Sequence, residues 1–422
     1  MTNYPCGNKV NAFCILILYK IIIAKKGNEL NMNTAFKKIL CFICSIGIIS
    51  APIRAAAELS SQVNADVSAQ IVTAPSAILM EQSSGQVLYE LNADEKLPIA
   101  SVTKTMTMLL IMEALDFGKI KPEDIVTTSE YAASMGGSQV FLEAGEQMSV
   151  SDMLKAVAVA SGNDAAVAMA EHIAGTESAF VEMMNKRATE LGCTNTHFIN
   201  CNGLNETADH HSTARDVAII SCELLRHPKI LEYTTIWMDT LRDGTFGLSN
   251  TNKLIRFYKG ANGLKTGSTS IAKYCLAASA KRDDMQLVAV VLAAPSTQER
   301  FSSATKLLDY GFANYSVVNA AQKIGELQPV PVIGGRSDFV NVAADNSVNF
   351  IVKKGNQDKV EVNVTMDENL RAPIEVGQKV GEATLSIDGE VLAVCDIKSL
   401  DEVKRMTVPA MYVKVFKRWL CM

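Results

Sequence analysis

Alternating and continuous apolar segments predict a β-hairpin followed by a helix near the start of the folded region. The apolar positions 77–80 and 87–89 flank Ser83-Ser84-Gly85, a sequence typical of a tight turn. The apolar run from Met106 to Leu115 then predicts a helix that begins near Ser101. The chain therefore enters a sheet first and reaches a buried helix directly afterwards.

Helical and strand patterns continue in an order that indicates an antiparallel sheet covered by helices. The expected elements are a helical region at 151–192, a helix from Thr213 to Leu225 with Ser212 as N-cap, strands at Tyr274–Ala280 and Leu287–Leu292 joined by a charged turn, and a helix from Arg300 to Phe312. The predicted fold class is α+β, with a helical subdomain inserted between the first and the last strands.

A small β domain is predicted after residue 319, where the composition changes. Gly- and Asp-rich turns separate short β-type runs at Val330–Val332, Val348–Val352, Val360–Val364, Ala383–Ile387 and Val391–Ile397. No residue cluster in this region suggests chemistry, so we interpret it as a spacer or docking module.

The last residues predict a short basic amphipathic helix. After Pro409, apolar residues recur at helical spacing on one face, and basic residues lie off that face. Such a helix suits the plane of an anionic membrane surface, and the alternative is a helix docked on the β domain. The apolar set is Met411, Tyr412, Val415, Phe416, Trp419 and Leu420, and the basic set is Lys414, Lys417 and Arg418.

The N-terminal region resembles a secretory signal peptide. Lys37-Lys38 supplies the charged start, Ile39–Ile49 the apolar core and Ala55-Ala56-Ala57 the cleavage site, so we expect the mature chain to begin near Glu58. Met32 stands where such a signal begins, so we hypothesise that translation starts there, with Met1 as the alternative start. A two-segment membrane anchor, formed by this core and an earlier apolar run from Phe13 to Ala24, is the alternative, but both runs are shorter than the roughly 20 residues that a span needs.

Composition and charge narrow the function classes. The net charge is −5, and no basic stripe with interleaved aromatic residues indicates nucleic-acid binding. The chain has ten cysteines, four of them in the N-terminal region. None of the remaining cysteines has zinc-type spacing. Cys193 and Cys201 flank one loop and could pair in an oxidising compartment, although we favour two unpaired thiols.

Ser101 and Lys104 stand three residues apart at the start of the predicted helix, so their side chains share one face. A desolvated lysine whose pKa falls below about 10.4 can accept the proton of a serine hydroxyl. The helix N-terminus adds N–H groups that suit a developing oxyanion. Taken alone, Ser-x-x-Lys also fits an N-cap serine followed by a solvated lysine.

Two later tripeptides favour the catalytic interpretation of Ser101 and Lys104. Ser161-Gly162-Asn163 follows an apolar helical pattern, and Lys265-Thr266-Gly267 follows a glycine-containing turn. The ordered set Ser-x-x-Lys, Ser-x-Asn and Lys-Thr-Gly is similar to that of penicillin-binding proteins and serine β-lactamases. The surrounding stretches most resemble the low-molecular-mass D-alanyl-D-alanine carboxypeptidases. They are Gly137-Ser138-Gln139, Ala160–Ala165, His211–Asp216 and Lys265–Thr269.

The resemblance implies a role for each motif residue. Ser101 would be the nucleophile, Lys104 its base, and Ser161 a proton relay toward the leaving amine. Asn163 would hold Lys104 or the substrate amide. Lys265 and Thr266 would bind the terminal carboxylate of the substrate, and Gly267 would let the backbone lie close to the bound peptide. The N–H groups of Ser101 and Ser268 would form the oxyanion hole.

Two arginines and two histidines received weaker assignments. Arg215 is carried over from the resemblance as a charged residue near the carboxylate pocket, and Arg300 matches a further arginine only loosely. A structural ion pair fits either arginine equally well. His210 and His211 precede a helix and are interpreted as loop-shaping residues, which disfavours a Ser-His-Asp triad.

The resemblance implies a secreted serine D-alanyl-D-alanine carboxypeptidase that needs no cofactor and no metal. It would act on peptidoglycan stem peptides at the outer face of the membrane, with β-lactams as covalent inhibitors. The alternatives are a serine β-lactamase and a non-catalytic β-lactam or cell-wall binding module. The expected divisions are 1–57 (extension and signal peptide), 58–73 (flexible leader), 74–318 (catalytic domain), 319–400 (β domain) and 401–422 (amphipathic helix).

Overall fold

The computed structural model describes residues 71–204, 207–367 and 369–420. The predicted signal peptide, the Met32 start and nearly all of the leader lie outside these residues. The strands of the catalytic part are β1 (Ser76–Glu81), β2 (Val87–Leu91), β3 (Ile125–Thr127), β4 (Gln147–Ser149), β5 (Met238–Leu241), β6 (Phe246–Ser249), β7 (Ala261–Thr269), β8 (Lys273–Arg282) and β9 (Met285–Ala294). Those that follow are β10 (Tyr315–Asn319), β11 (Val330–Pro331), β12 (Phe339–Val340), β13 (Val342–Ala344), β14 (Asn349–Lys353), β15 (Glu361–Met366), β16 (Lys379–Ile387) and β17 (Glu390–Ser399).

Helices fill the intervals between these strands. The α-helices are α1 (Lys104–Asp116), α2 (Glu130–Ala133), α3 (Val150–Lys155), α4 (Asn163–Ala174), α5 (Glu177–Glu190), α6 (Ala214–Leu224), α7 (Leu231–Thr234), α8 (Leu254–Phe257), α9 (Thr297–Asn314), α10 (Ala320–Ile324) and α11 (Val408–Leu420). Short 3₁₀ segments occur at Ala100–Thr103, Pro228–Ile230 and Gln357–Lys359, and a π-helical turn at Ala156–Ala160.

Side-chain alternation explains why helices cover both faces of the central sheet. The antiparallel strand order is β2-β1-β9-β8-β7. On β1, Ile78 belongs to the core shared with α1 and α6, whereas Leu79 belongs to the core under α9. Val288 and Leu287 alternate in the same way on β9. This arrangement leaves β7 as an edge strand, and the expected α+β class is confirmed.

Both predicted hairpins of this sheet are confirmed. Strand β1 pairs with β2, and β8 pairs with β9 around Asp283-Asp284. The helix expected at Arg300–Phe312 is also present and is longer, since it runs from Thr297 to Asn314. Ser296 explains the earlier start, because its side chain accepts a hydrogen bond from the Glu299 N–H and caps the helix.

The N-cap predicted for α6 was wrong by one residue. The side chain of Thr213, not Ser212, accepts the capping hydrogen bond from the Asp216 N–H. Ser212 lies in extended backbone and forms an isolated bridge with Leu97, the residue before Pro98. Serine and threonine cap helices similarly, so the sequence could not decide between two adjacent candidates.

The helical region expected at 151–192 is interrupted twice. After the π-helical turn, Ser161 adopts the left-handed conformation with φ 65°, and a new helix begins at Asn163. A second break at Gly175 separates α4 from α5. The first break places the predicted Ser-x-Asn motif at the start of a helix rather than inside one.

The C-terminal strands form a second sheet with its own core. Its antiparallel order is β13-β17-β16-β15, and Val380, Leu385 and Ile397 are buried within it. Helix α11 follows, and the side chains of Tyr412 and Trp419 are each 71% exposed. Among the described residues, no helix has both the length and the apolar character needed to cross a bilayer.

The cysteines of the folded part are buried thiols. Cys193 and Cys201 are not joined to each other, and Cys222, Cys275 and Cys395 are likewise free. Burial raises the pKa of Cys193 to about 12, so this thiol is protonated at neutral pH.

Candidate active site

Ser101 lies in the 3₁₀ turn that leads directly into α1, and Lys104 is the first residue of that helix. The Ser101 side chain is partly exposed at the surface of the site, whereas Lys104 is fully buried below it. Lys104 Nζ lies 3.1 Å from Ser101 Oγ. The two residues expected to act together therefore stand within hydrogen-bond distance, with only the hydroxyl open to solvent.

Lys104 is held by two further oxygen atoms. Its Nζ donates to Asn163 Oδ1 at 2.5 Å and to the carbonyl oxygen of Asn202 at 2.7 Å. Burial lowers the pKa of Lys104 to about 7, and the nearby Cys201 and Asp164 offset only part of this effect. In a substantial fraction of the molecules, the Lys104 amine is therefore neutral at physiological pH.

The side-chain amide of Asn163 has a fixed orientation. Its Nδ2 donates to the carbonyl oxygen of Gly136 at 2.7 Å, which leaves Oδ1 facing Lys104. The loop carrying Gly136 packs closely here, because a Cβ at Gly137 would lie 2.8 Å from Asn163 Nδ2. A glycine at position 137, where φ is +77°, thus permits the approach that orients the amide.

Ser161, the first residue of the Ser-x-Asn motif, is also buried and lies two residues before Asn163. The segment preceding it is tied to strand β7 through Thr251. The Thr251 N–H donates to the carbonyl oxygen of Val159 at 3.3 Å, and the hydroxyls of Thr251 and Thr266 are 2.7 Å apart. The Ser-x-Asn and Lys-Thr-Gly motifs are therefore joined by one intermediate residue.

Lys265 is the second buried lysine of this site. It is 1% exposed, and its Nζ donates to the carbonyl oxygen of Thr266 at 2.9 Å. Its pKa is lowered well below the usual value, first by burial and then by the neighbouring charges of Lys104 and Arg300. Neither Lys104 nor Lys265 has an ion-pair partner among the described residues.

Gly267 brings β7 against the nucleophile turn. A Cβ at this position would lie 2.7 Å from the Ile99 carbonyl oxygen and 2.9 Å from the Ser101 nitrogen. The resemblance implies that this glycine admits a bound peptide; in the structure, the missing side chain makes room for the Ser101 turn. Ser268, the next residue, is exposed and pairs with Tyr274 of β8.

Arg215 and Arg300 have different surroundings. Arg215 forms ion pairs with Glu90 at 2.5 Å and Asp94 at 2.7 Å, the structural alternative that the sequence left open. Arg300 is buried, and its Nη1 donates to the carbonyl oxygens of Gly267 at 3.2 Å and Cys275 at 3.3 Å. Arg300 thus supports the strand that carries the Lys-Thr-Gly motif.

Two residues of the site were missed by sequence reasoning. Asn202 contributes its backbone carbonyl to Lys104, and Thr251 links two motifs through its amide and hydroxyl. Asn202 stood inside a stretch recognised only as a turn-rich loop, and a backbone carbonyl has no sequence signature. Nothing in the pattern around Thr251 indicates its position either.

Two family models match this chain. The family model described as D-alanyl-D-alanine carboxypeptidase matches residues 63–296. A second model, described as the C-terminal domain of penicillin-binding protein 5, matches residues 312–405. The first match covers the central sheet and the helices up to α8, and the second covers the C-terminal sheet.

Individual relatives extend over both parts. The chain is 48% identical to D-alanyl-D-alanine carboxypeptidase DacF of Bacillus subtilis over 336 residues, covering 79% of this chain and 86% of that protein. Penicillin-binding protein 5 from Haemophilus influenzae is similar in structure, with a TM-score of 0.70, 34% identity and coverage of 79% and 98%. Penicillin-binding protein D2 from Listeria monocytogenes, in its ampicillin-bound form, is also similar, with a TM-score of 0.51 and 32% identity. That match covers 58% of this chain and 99% of that protein. The chain therefore belongs to the D-alanyl-D-alanine carboxypeptidase family of low-molecular-mass penicillin-binding proteins, as its motifs predicted.

Proposed function

We propose that Ser101 carries out the carboxypeptidase reaction through an acyl-enzyme. Its Oγ attacks the carbonyl carbon between the last two D-alanines of a peptidoglycan stem peptide. An ester bond to Ser101 forms, the C–N bond breaks, and the terminal D-alanine leaves as an amine that gains a proton. Water then hydrolyses the ester. The 3.1 Å approach of Lys104 Nζ to Ser101 Oγ is the observation that carries this proposal.

Lys104 acts as the base in its neutral form. A neutral amine has two N–H groups and one lone pair. The Asn163 and Asn202 oxygens, at 2.5 Å and 2.7 Å, accept from both N–H groups, so the lone pair faces Ser101 Oγ. Because burial lowers the Lys104 pKa to about 7, neutral pH supplies this form without a carboxylate or a histidine.

Ser161 relays a proton to the leaving amine. Its hydroxyl both donates and accepts, and it stands at the start of the segment whose Asn163 already holds Lys104. A relay is useful because Lys104 takes its proton from the attacking Ser101 oxygen, whereas the tetrahedral intermediate needs a proton on a different atom, the leaving nitrogen.

Strand β7 binds the substrate. Lys265 and Thr266 receive the terminal carboxylate, since Lys265 is buried without an acidic partner among the described residues, and a bound carboxylate would supply the opposite charge that stabilises its ammonium form. The N–H groups of Ser101 and Ser268 stabilise the oxyanion. Removing one such donor typically costs about 2.7–4 kcal/mol of transition-state stabilisation. We do not include Arg215 in this set, because Glu90 and Asp94 already engage its guanidinium.

Release of D-alanine from a D-Ala-D-Ala peptide tests this function. Wild type should release D-alanine and bind fluorescent penicillin, and peptide mapping should find the label on Ser101. Ser101→Ala should do neither, whereas Ser302→Ala, at an exposed position on α9, should behave like wild type. A wild-type protein that releases no D-alanine and takes no label would overturn the proposal.

β-Lactams should acylate Ser101 and remain bound for a long time. Glu171 and Glu177, which follow the Ser-x-Asn motif, contact Ser129 and Tyr131 at 2.7 Å each, and neither contacts Ser101. These two glutamates are thus engaged elsewhere and do not supply a carboxylate that activates water for rapid deacylation. Fast turnover of benzylpenicillin by the purified protein would instead favour the β-lactamase alternative.

We further propose that the protein is secreted and that α11 attaches it to the outer face of the cytoplasmic membrane. All five residues of the predicted apolar face whose side chains the structure describes are exposed, which does not fit docking on the β domain. The five are Met411, Tyr412, Val415, Phe416 and Trp419. The mature chain should sediment with vesicles containing anionic lipids, whereas Trp419→Glu should reduce this binding and Phe257→Glu, equally exposed elsewhere, should not. Equal binding by both variants would contradict this role.

A further inference from the structure

His210 lies directly behind the nucleophile turn although the proposed reaction does not use it. Its side chain is 3% exposed, and its ring packs edge-on against Phe198 with centroids 5.8 Å apart. Both ring nitrogens have partners. The Ile199 N–H reaches Nδ1 at 3.2 Å, and Thr103 Oγ1 lies 2.6 Å from Nε2.

These contacts define the direction of a hydrogen-bond chain. Because the Ile199 N–H donates to Nδ1, that nitrogen carries no proton, and the neutral ring has its proton on Nε2. Nε2 therefore donates to the Thr103 hydroxyl, which in turn donates to the carbonyl oxygen of Ala100 at 2.8 Å. Burial lowers the pKa of His210 to about 4, which agrees with a neutral ring at physiological pH.

The carbonyl at the end of this chain belongs to the peptide that precedes the nucleophile. In a trans peptide the C=O and the following N–H point in opposite directions, so fixing the Ala100 oxygen fixes the Ser101 N–H. Ala100 has φ 47°, a conformation that a non-glycine residue keeps only when its surroundings hold it. Gly203 packs against the same carbonyl, since a Cβ there would lie 1.9 Å from the Ala100 oxygen.

We propose that His210 is a positioning residue for the oxyanion hole: through Thr103 it anchors the Ala100 carbonyl and so directs the Ser101 N–H toward the reacting carbonyl. This inference rests on the proposed role of the Ser101 N–H as an oxyanion donor. His210 touches neither substrate nor nucleophile, and its contribution depends on a single donated hydrogen bond.

Acylation by benzylpenicillin, measured by stopped flow on the full mature chain, separates this role from a purely structural one. His210→Leu removes the donor and should slow the acylation step by about 10- to 100-fold, less than the 10²–10³-fold loss typical when a donor is removed outright. The dissociation constant of the noncovalent complex that forms before acylation should change less than about twofold, because the Ser101 N–H acts on the developing oxyanion and not on the bound ground state.

Two further variants test the hydrogen-bond chain from His210 through Thr103 to the Ala100 carbonyl. His210→Gln keeps an N–H donor and should restore most of the acylation rate. Thr103→Val keeps the shape but removes the hydroxyl, and should be as slow as His210→Leu. The double variant should be no slower than the slower single variant, because both changes break one chain. His211→Gln, at the partly exposed neighbouring histidine, should acylate like wild type.

Melting curves identify any variant that does not fold. If His210→Leu is unfolded, Thr103→Val and His210→Gln decide the question. A folded Thr103→Val that acylates at the wild-type rate overturns the proposal, as does a loss in His210→Leu confined to noncovalent binding. A wild-type protein that is not acylated at all would refute the proposed function instead.

Discussion

Two lysines of the catalytic part and two lysines of the C-terminal part occupy opposite environments. In the catalytic part, Lys104 and Lys265 are buried and have no ion-pair partner among the described residues. In the C-terminal part, Lys379 pairs with Asp396 at 2.5 Å and Lys398 pairs with Asp345, all near the surface. Burial lowers the pKa of the first two lysines, whereas hydrogen bonds to carboxylates raise the pKa of the other two.

This difference indicates which part of the molecule is arranged for chemistry. A buried ammonium without a counterion is unfavourable, so a fold keeps one only where the rest of the structure compensates. At Lys104 the result is an amine that is neutral often enough to take a proton. At Lys265 we propose that a substrate carboxylate supplies the missing counterion. The paired lysines of the C-terminal sheet offer neither property.

The largest expected effect comes from Lys104→Met. We expect acylation by benzylpenicillin to fall by about 10³-fold, since general bases typically contribute 10²–10⁴-fold. The stability of wild type relative to this variant should also depend on pH. Between the folded pKa of about 7 and the usual 10.5, the unfolded chain binds more protons at Lys104, so wild-type stability gains on the variant as pH rises.

Denaturant unfolding of both proteins from pH 6 to pH 10 measures the second effect. Below pH 7 the stability difference between them should be constant, because Lys104 is protonated in both folded and unfolded wild type. A difference that stays constant up to pH 10 would mean that Lys104 titrates normally in the folded protein.

A smaller loss is expected for Lys265→Gln. With a peptide ending in a free carboxylate, kcat/KM should fall by about 10²-fold, because one partner of a buried charge pair is lost. The same peptide with an amidated C-terminus should lose much less activity between wild type and variant. Equal losses on the two peptides would show that Lys265 does not bind the carboxylate.

Arg215→Gln tests whether that arginine behaves like a site residue or like a surface ion pair. Given its contacts with Glu90 and Asp94, we expect KM to stay unchanged and the free energy of unfolding to fall by about 1 kcal/mol or less. Steady-state kinetics and urea unfolding measure both quantities. A roughly tenfold rise in KM would instead support the position near the carboxylate pocket that the family resemblance implied for Arg215.

The smallest effect is expected for Lys398→Met, the same substitution as at Lys104 but in the C-terminal sheet. Because this exposed lysine is paired and screened by solvent, the melting temperature should change by about 2 °C or less. D-alanine release should match wild type. A loss of activity here would mean that the C-terminal sheet influences the catalytic site.

The sequence predicted elements and motif residues better than it predicted the contacts between them. Apolar alternation located both hairpins of the central sheet, and the spacing of Ser101 and Lys104 correctly placed them within reach of each other. These are local patterns that span a few residues. The choice of Thr213 over Ser212 as N-cap was not recoverable, because it depends on the bridge between Ser212 and Leu97.

Long-range contacts account for what the sequence left undetermined. Lys104 and Asn202 are 98 residues apart, and Thr103 and His210 are 107 apart. The first contact uses a backbone carbonyl and the second a histidine interpreted only as loop-shaping. The space for the Ser101 turn at Gly267 depends on how an edge strand packs against a 3₁₀ segment. Such features follow from tertiary packing, which periodicity does not encode.

The central claim is that Lys104 is a neutral base at physiological pH, and its titration can be observed directly. Lysine labelled with ¹³C at Cε gives one NMR signal per side chain, and Lys104→Met identifies the signal of Lys104. We expect a titration midpoint near pH 7 for that signal, because burial lowers the pKa of Lys104 to about 7. A midpoint above pH 10, like that of an exposed lysine, would contradict it.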